Sequence, residues 1–281
     1  MSVAQRPFDA VLIDLDGTLL NEQSQVSSRN HEALRALEES GIVCMLATGR
    51  SLVSAKPVME TLNLESPVLV FNGAAIYCPK EKRMLEEQVL SDRTRDRALE
   101  HAREHDLMAV VVRSDRKMSL KPRTPQEEYG LRHLFELEHG ERHELNLEYA
   151  MRVTLFSDTH ADSADFCVEV ESAVAAPVYL THFPLNHLPA HRESTLQIVD
   201  VQPPCLGKAE AFRFLKQRYG IEAPRVIAFG DASNDIPMFE VAGRSVAMGD
   251  GMPEALEAAD VVIGDNDSDA LAEYLEQTFS L

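Results

Sequence analysis

Tryptophan is absent from the chain, and cysteine is scarce. The four cysteines, Cys44, Cys78, Cys167 and Cys205, include no CxxC pair, so neither a dithiol redox motif nor a cysteine zinc knuckle is expected. Cys44 lies in an apolar run, where a reduced core thiol is expected. No apolar run approaches the ~18 residues of a membrane-spanning helix. The opening MSVAQRPFDAVLIDLD has no secretory apolar stretch, so a cytoplasmic location is expected. Basic residues are also in short supply. There are 27 Lys and Arg against 46 Asp and Glu, a net charge of −19. Such a chain repels nucleic acid and anionic membranes unless a basic patch intervenes, and its Lys and Arg are scattered among acids. Neither internal repeats nor low-complexity tracts occur.

What is present suffices for a buried core and a folded chain. The 281 residues are 44% hydrophobic, enough for one large domain or two modest ones. Both ends of the chain alternate short apolar runs with helical patterns. The apolar runs are 10–13, 42–46, 68–71, 225–229, 245–247 and 261–263, and the helical patterns cover 28–39, 52–62, 209–219, 236–242 and 268–279. Strands apolar on both faces, alternating with helices, predict an α/β fold with a parallel sheet. The middle, 84–203, is richer in His, Arg and Glu. Its runs at 109–113, 151–156 and 196–201 look alternating, which predicts an antiparallel sheet with one wet face. The expected organisation is therefore a core from 1–83 and 204–281, with an α+β domain from 84–203 inserted in it.

Open parallel sheets bind ligands beyond the carboxyl ends of their strands. Four of the strand ends carry polar groups: DLDGTLL at 14–20, LATGR at 46–50, FNGA at 71–74 and GDASNDIPMF at 230–239. Asp14 and Asp16 are two apart at a strand end, so both side chains can enter one site, and Gly17 lets the chain turn away. Asp231 and Asp235 would join from another strand. Crowded carboxylates raise one another's pKa unless a cation intervenes, and a hard, oxygen-ligated ion such as Mg²⁺ suits them. The alternative reading makes these acids helix caps and turn formers, and the convergence of four strand ends weighs against it. Thr48 and the N–H groups around Gly49 could hold phosphate oxygens, or Thr48 could simply cap a helix. Lys208 opens the pattern at 209–219, where a cation opposes the helix dipole, and pairing with Asp14 and a phosphate would explain it.

In this order the motifs resemble those of the haloacid dehalogenase-like phosphatases, in particular the Cof-type sugar-phosphate phosphatases, over nearly the whole chain. The resemblance implies a Rossmann-like core with a cap domain. It implies Asp14 as nucleophile and Asp16 as general acid/base, with Thr48 and Lys208 holding the phosphoryl group. Asn72, Gly73 and Gly49 would edge the phosphate site. Mg²⁺ would be held by Asp14, the backbone carbonyl of Asp16 and Asp231, with Asn234 and Asp235 around it. The implied substrate is a small phosphorylated metabolite. The chain departs from the family pattern at Ala209, Asp250 and Asp269-Ala270, and none of these removes a catalytic group. A phosphomutase on the same fold would share the Asp14–Asp16 pair, and a phosphate-sensing protein would need only the binding groups. Within 180–193, His182, His187 and His191 have no familiar zinc-ligand spacing and are read, with Arg192, as a polar loop.

Overall fold

The computed structural model describes residues 6–132, 134 and 136–281. The chain forms two compact units. The first comprises 1–50, 55–87 and 206–281, and the second comprises 51–54 and 88–205. Among the described residues, no helix is long and apolar enough to cross a membrane.

In the first unit, β1 (Ala10–Ile13), β2 (Val43–Ala47) and β3 (Val68–Val70) alternate with α1 (Ser28–Glu39) and with α2 (Leu52–Leu62), which belongs to this unit from Ala55 on. Ser27 caps α1 by accepting from the Asn30 N–H, and Gly41 leaves the helix at φ 85°. β4 (Ala75–Cys78) and β5 (Arg83–Glu87) follow as an antiparallel hairpin that the apolar pattern does not announce. Beyond the second unit the chain returns through β12 (Val226–Gly230), β13 (Arg244–Ala247) and β14 (Val261–Val262). The sheet order is β14-β13-β12-β1-β2-β3-β4-β5, and it is parallel from β14 to β3. β1 sits near its middle with every residue buried, which is why AVLI carries no polar position. One face packs Leu12, Met45 and Ala228 against Phe212 and Leu215 of α6 (Glu210–Tyr219) and against Met238 and Phe239 of α7 (Ile236–Phe239). Ala255 of α8 (Pro253–Ala258) joins the same core. α9 (Ala270–Phe279) pairs with α1, and the Ala272 N–H donates to buried Asn30.

The second unit holds a six-stranded sheet in the order β10-β11-β9-β6-β7-β8. Its strands are β6 (Met108–Val112), β7 (Lys117–Ser119), β8 (Leu137–His139), β9 (Arg152–Ser157), β10 (Tyr179–Pro184) and β11 (Gln197–Gln202). All pairs are antiparallel except β7–β8. Two helices, α3 (Asp92–Glu104) and α5 (Ser163–Val174), share a core with Ala109, Val111, Val153, Leu155, Val199 and Val201. A shorter helix, α4 (Pro125–Leu131), starts at the cap residue Thr124.

Two expectations for this segment are corrected. The three strands expected to alternate show no wet face, because β6 and β11 are buried at every position and β9 at all but Arg152, whereas β8 and β10 are partly exposed. Polar residues such as Thr154 and Asp200 do alternate with apolar ones, but they are buried and bonded to each other. The stretch 180–193 is not an open loop either. It begins as strand β10 and continues in two 3₁₀ turns, Leu185–His187 and Pro189–His191. His191 is buried with its ring edge-on to Tyr129, and His182 meets Ser163 across 3.0 Å.

Candidate active site

β1 pairs with β2 on one side and with β12 on the other, Ile13 lying opposite Leu46 and Phe229. Three neighbouring strands therefore end together, and each apolar run is followed at once by a polar residue. Asp14 leaves β1 with its N–H still bonded to the Phe229 carbonyl. Gly17 then turns at φ 80°, where a Cβ would sit 2.3 Å from Asp231 Oδ2. No other residue type fits there, on grounds of both dihedral and space.

Asp14, Asp231 and Asp235 bring carboxylate oxygens within 4.8 Å of one another. Lys208 Nζ lies 2.7 Å from Asp14 and 2.5 Å from Asp235, and is fully buried. The expected pairing of Lys208 with Asp14 is present, with Asp235 as a second partner, and only the start of the helix differs from the expectation. Lys208 sits in a 3₁₀ turn, Gly207–Ala209, before α6 begins at Glu210, so its charge is answered by the two carboxylates. Asp235 is engaged on both oxygens: Oδ1 faces Lys208, and Oδ2 accepts from the N–H groups of Asp231 and Ala232. Asp231 accepts from the Thr18 hydroxyl at 2.8 Å.

Thr48, buried after β2, donates its N–H to the Leu69 carbonyl and accepts from the Arg50 N–H on its hydroxyl. The loop after β3 is stitched to it, since the Asn72 N–H donates to the Thr48 carbonyl. A Cβ on Gly73 (φ 103°) would come within 2.2 Å of the Gly207 carbonyl, so the third strand end lies directly on the Lys208 turn. Gly49 lies close under Asn72, and the Asn234 amide donates to the Asn72 side-chain oxygen at 3.1 Å. Asp16 stands apart. Its half-exposed carboxylate is held in a two-pronged pair by Arg50, at 2.8 Å from Nε and 2.5 Å from Nη2.

Sequence reasoning missed one participant and one pairing. Thr18 lies inside DLDGT, but its target is 213 positions away. Arg50 lies inside LATGR, and nothing in that motif names Asp16 as its partner.

Burial pushes the Asp14 carboxyl well above the usual range, opposed by Lys208 and reinforced by Asp235, Asp231 and Asp16. Burial, then the Asp235 charge, lifts Asp231 to about 7. Burial works against the Lys208 charge, but Asp14 and Asp235 outweigh it and hold the ammonium ionised. Three carboxylates thus face one ammonium. The donors are all oxygen and negative charge is in excess, so the residues fit a hard divalent cation.

A pH dependence follows. With their folded pKa values raised, Asp14 and Asp231 take up protons on folding. In the metal-free protein the contribution of these two groups to stability is therefore full at low pH and is lost as pH rises through about 7. A cation competes with those protons. The rise in melting temperature on adding Mg²⁺ should be larger at pH 8 than at pH 5.5, and calorimetry at both values checks it. An equal shift at the two values would place Mg²⁺ elsewhere.

Residues 11–275 match the family model of the haloacid dehalogenase-like hydrolases. The 5-amino-6-(5-phospho-D-ribitylamino)uracil phosphatase YwtE of Bacillus subtilis is 25% identical, covering 96% of this chain and 98% of its own. The pyridoxal phosphate phosphatase YbhA of Escherichia coli is 26% identical over 94% and 96%. A haloacid dehalogenase-like hydrolase from Bacteroides thetaiotaomicron superposes with a TM-score of 0.79 at 25% identity, over 97% of this chain and all of that one. With its strand ends, its motif order and nearly its whole length accounted for, the chain belongs to the haloacid dehalogenase-like hydrolase family.

Proposed function

We propose that this hydrolase is a Mg²⁺-dependent phosphatase of small phosphorylated metabolites, working through an aspartyl-phosphate on Asp14. The observation that carries the reading is the cluster of Asp14, Asp231 and Asp235, two of which, Asp14 and Asp235, pair with buried Lys208. Phosphate monoesters resist hydrolysis because an anionic nucleophile must approach an anionic phosphoryl group. Lys208 holds positive charge at the nucleophile and orients it. Thr48, Gly49, Asn72 and Gly73 present hydroxyl, amide and N–H groups to the phosphoryl oxygens. A bound Mg²⁺, held by Asp14, the Asp16 carbonyl and Asp231 with Asn234 and Asp235 around it, would offset phosphoryl charge.

Asp14 attacks phosphorus, and the bond to the ester oxygen breaks. Asp16 gives a proton to the leaving alkoxide, then takes one from the water that cleaves the aspartyl-phosphate. The Arg50 fork on Asp16 must open for this, which makes Arg50 a positioning residue. Selection among leaving groups falls to the inserted segment 84–203, because the strand-end motifs engage only the phosphoryl group. The named relatives act on a phosphoribityl compound and on pyridoxal phosphate, both small phosphate esters, and this supports the substrate class.

The test is a panel of phosphorylated metabolites assayed with Mg²⁺ and with EDTA. Activity should disappear on chelation and return with Mg²⁺. Full turnover after exhaustive chelation would remove the metal from the reading. On the same panel, replacing exposed His187 and Arg192 together by alanine should reorder the substrates while sparing a simple aryl phosphate. Equal losses on every substrate would assign these two residues to folding.

A further inference from the structure

A second group of metal-ligating side chains lies wholly within the second unit. His101 and His105 are one helical turn apart near the end of α3, so both rings leave the same face. α5 packs against α3 and brings Glu169 to that face. Glu169 Oε1 lies 3.1 Å from His101 Nε2 and 3.7 Å from His105 Nδ1. The ligand atoms of the three residues all fall within 4.8 Å of one another.

His101 is only 6% exposed, yet its Nε2 and the facing Glu169 Oε1 make no hydrogen bond. Their separation is that of an ion pair, but they do not meet in hydrogen-bond geometry. Buried polar atoms left in this way are uncommon in folded proteins. A shared cation would satisfy both. Zinc bonds of ~2.0–2.1 Å in a tetrahedron put neighbouring ligand atoms about 3.4 Å apart, and the two measured separations bracket that value.

The surroundings also suit a ligand carboxylate. The second oxygen of Glu169 is 3.1 Å from His160 Nε2, and His160 Nδ1 is in turn 2.7 Å from the Ser157 hydroxyl. His160 stacks on Phe166, with ring centroids 4.6 Å apart. Such outer contacts fix the direction of a ligating group.

We propose that His101, His105 and Glu169 form a binding site for a divalent cation of the zinc type, which ties α3 to α5. Two imidazoles and one carboxylate suit Zn²⁺ or Co²⁺ and are poor ligands for Mg²⁺. The site is thus chemically distinct from the all-oxygen cluster at Asp14. Three protein ligands leave a fourth position for water. By linking the helices that share the sheet's core, the cation would stabilise this unit by mass action.

The full-length protein, stripped with EDTA and then saturated with Mg²⁺, is titrated with Co²⁺. One equivalent should bind with the visible absorption of nitrogen-ligated, low-coordinate cobalt, and one equivalent of Zn²⁺ should bleach it. Zn²⁺ should also raise the melting temperature while Mg²⁺ remains saturating. His105→Ala and Glu169→Gln should each weaken Co²⁺ binding at least tenfold and remove the Zn²⁺ shift. The His105 side chain is half exposed, so its truncation leaves the fold intact, which circular dichroism verifies. No cobalt band in the wild type, or a band and melting shift that persist in His105→Ala, would overturn the site in favour of a plain histidine–glutamate ion pair.

Discussion

Asp14→Asn is expected to lower kcat by ~10³-fold or more, about 4 kcal/mol of transition-state stabilisation, while leaving the protein folded. The variant keeps the shape of the side chain and removes the anion that attacks phosphorus. Folding should tolerate it because Asp14 is buried among like charges, so its ionised form is already disfavoured. The metal-free variant should melt within a few degrees of the wild type at pH 8, since the loss at Lys208 is balanced by relief of repulsion from Asp231 and Asp235. Acid quenching during turnover of a ³²P-labelled ester checks the covalent step. Label should remain on wild-type protein and be absent from Asp14→Asn. A variant with more than a few per cent of wild-type kcat would rule out Asp14 as the nucleophile.

Lys208→Met should damage both activity and stability. The ammonium is fully buried between Asp14 and Asp235, and Asp235 also anchors the 231–232 backbone. Removing one partner of a buried ion pair leaves uncompensated charge and typically costs ~3–5 kcal/mol. The expected result is a clear fall in melting temperature, partly recovered by lowering the pH, because protonation of Asp14 then relieves the unpaired charge. Turnover should fall by several orders of magnitude even at temperatures where the variant is folded. Arg50→Met is the control: its guanidinium pairs with half-exposed Asp16, so its stability effect should be about 1 kcal/mol or less. A mild kinetic effect for Lys208→Met beside a large one for Arg50→Met would transfer the cationic role to Arg50.

The helix at Ser28–Glu39 was legible to the residue, because an apolar stripe lies within it and a serine cap and a glycine exit flank it. The strand ending at Ile13 was equally plain. The β4–β5 hairpin was not, since its outer strand is only half-buried and carries little pattern. The helices α3 and α5 were hidden by composition. α3 is rich in Arg, Glu and His, and only a few of its residues, Ala98 and Ala102 among them, reach the core. In the second unit, buried polar pairs such as Thr154–Asp200 imitate the alternation of a strand with one wet face.

The sequence by itself determined the α/β class, the order of the motifs and the residue types available at each strand end, because propensity, periodicity and turn chemistry act over a few neighbouring residues. Only the tertiary structure decided which of those residues meet. Lys208 reaches Asp14 and Asp235 because its turn lies on the Gly73 loop. Thr18 meets Asp231, and Arg50 meets Asp16. His101, His105 and Glu169 assemble, whereas His182, His187 and His191, closer together in sequence, do not form a ligand cluster among the described residues. Spacing along a helix fixes direction within one turn, but a contact between elements depends on sheet order and helix packing, which no local pattern encodes.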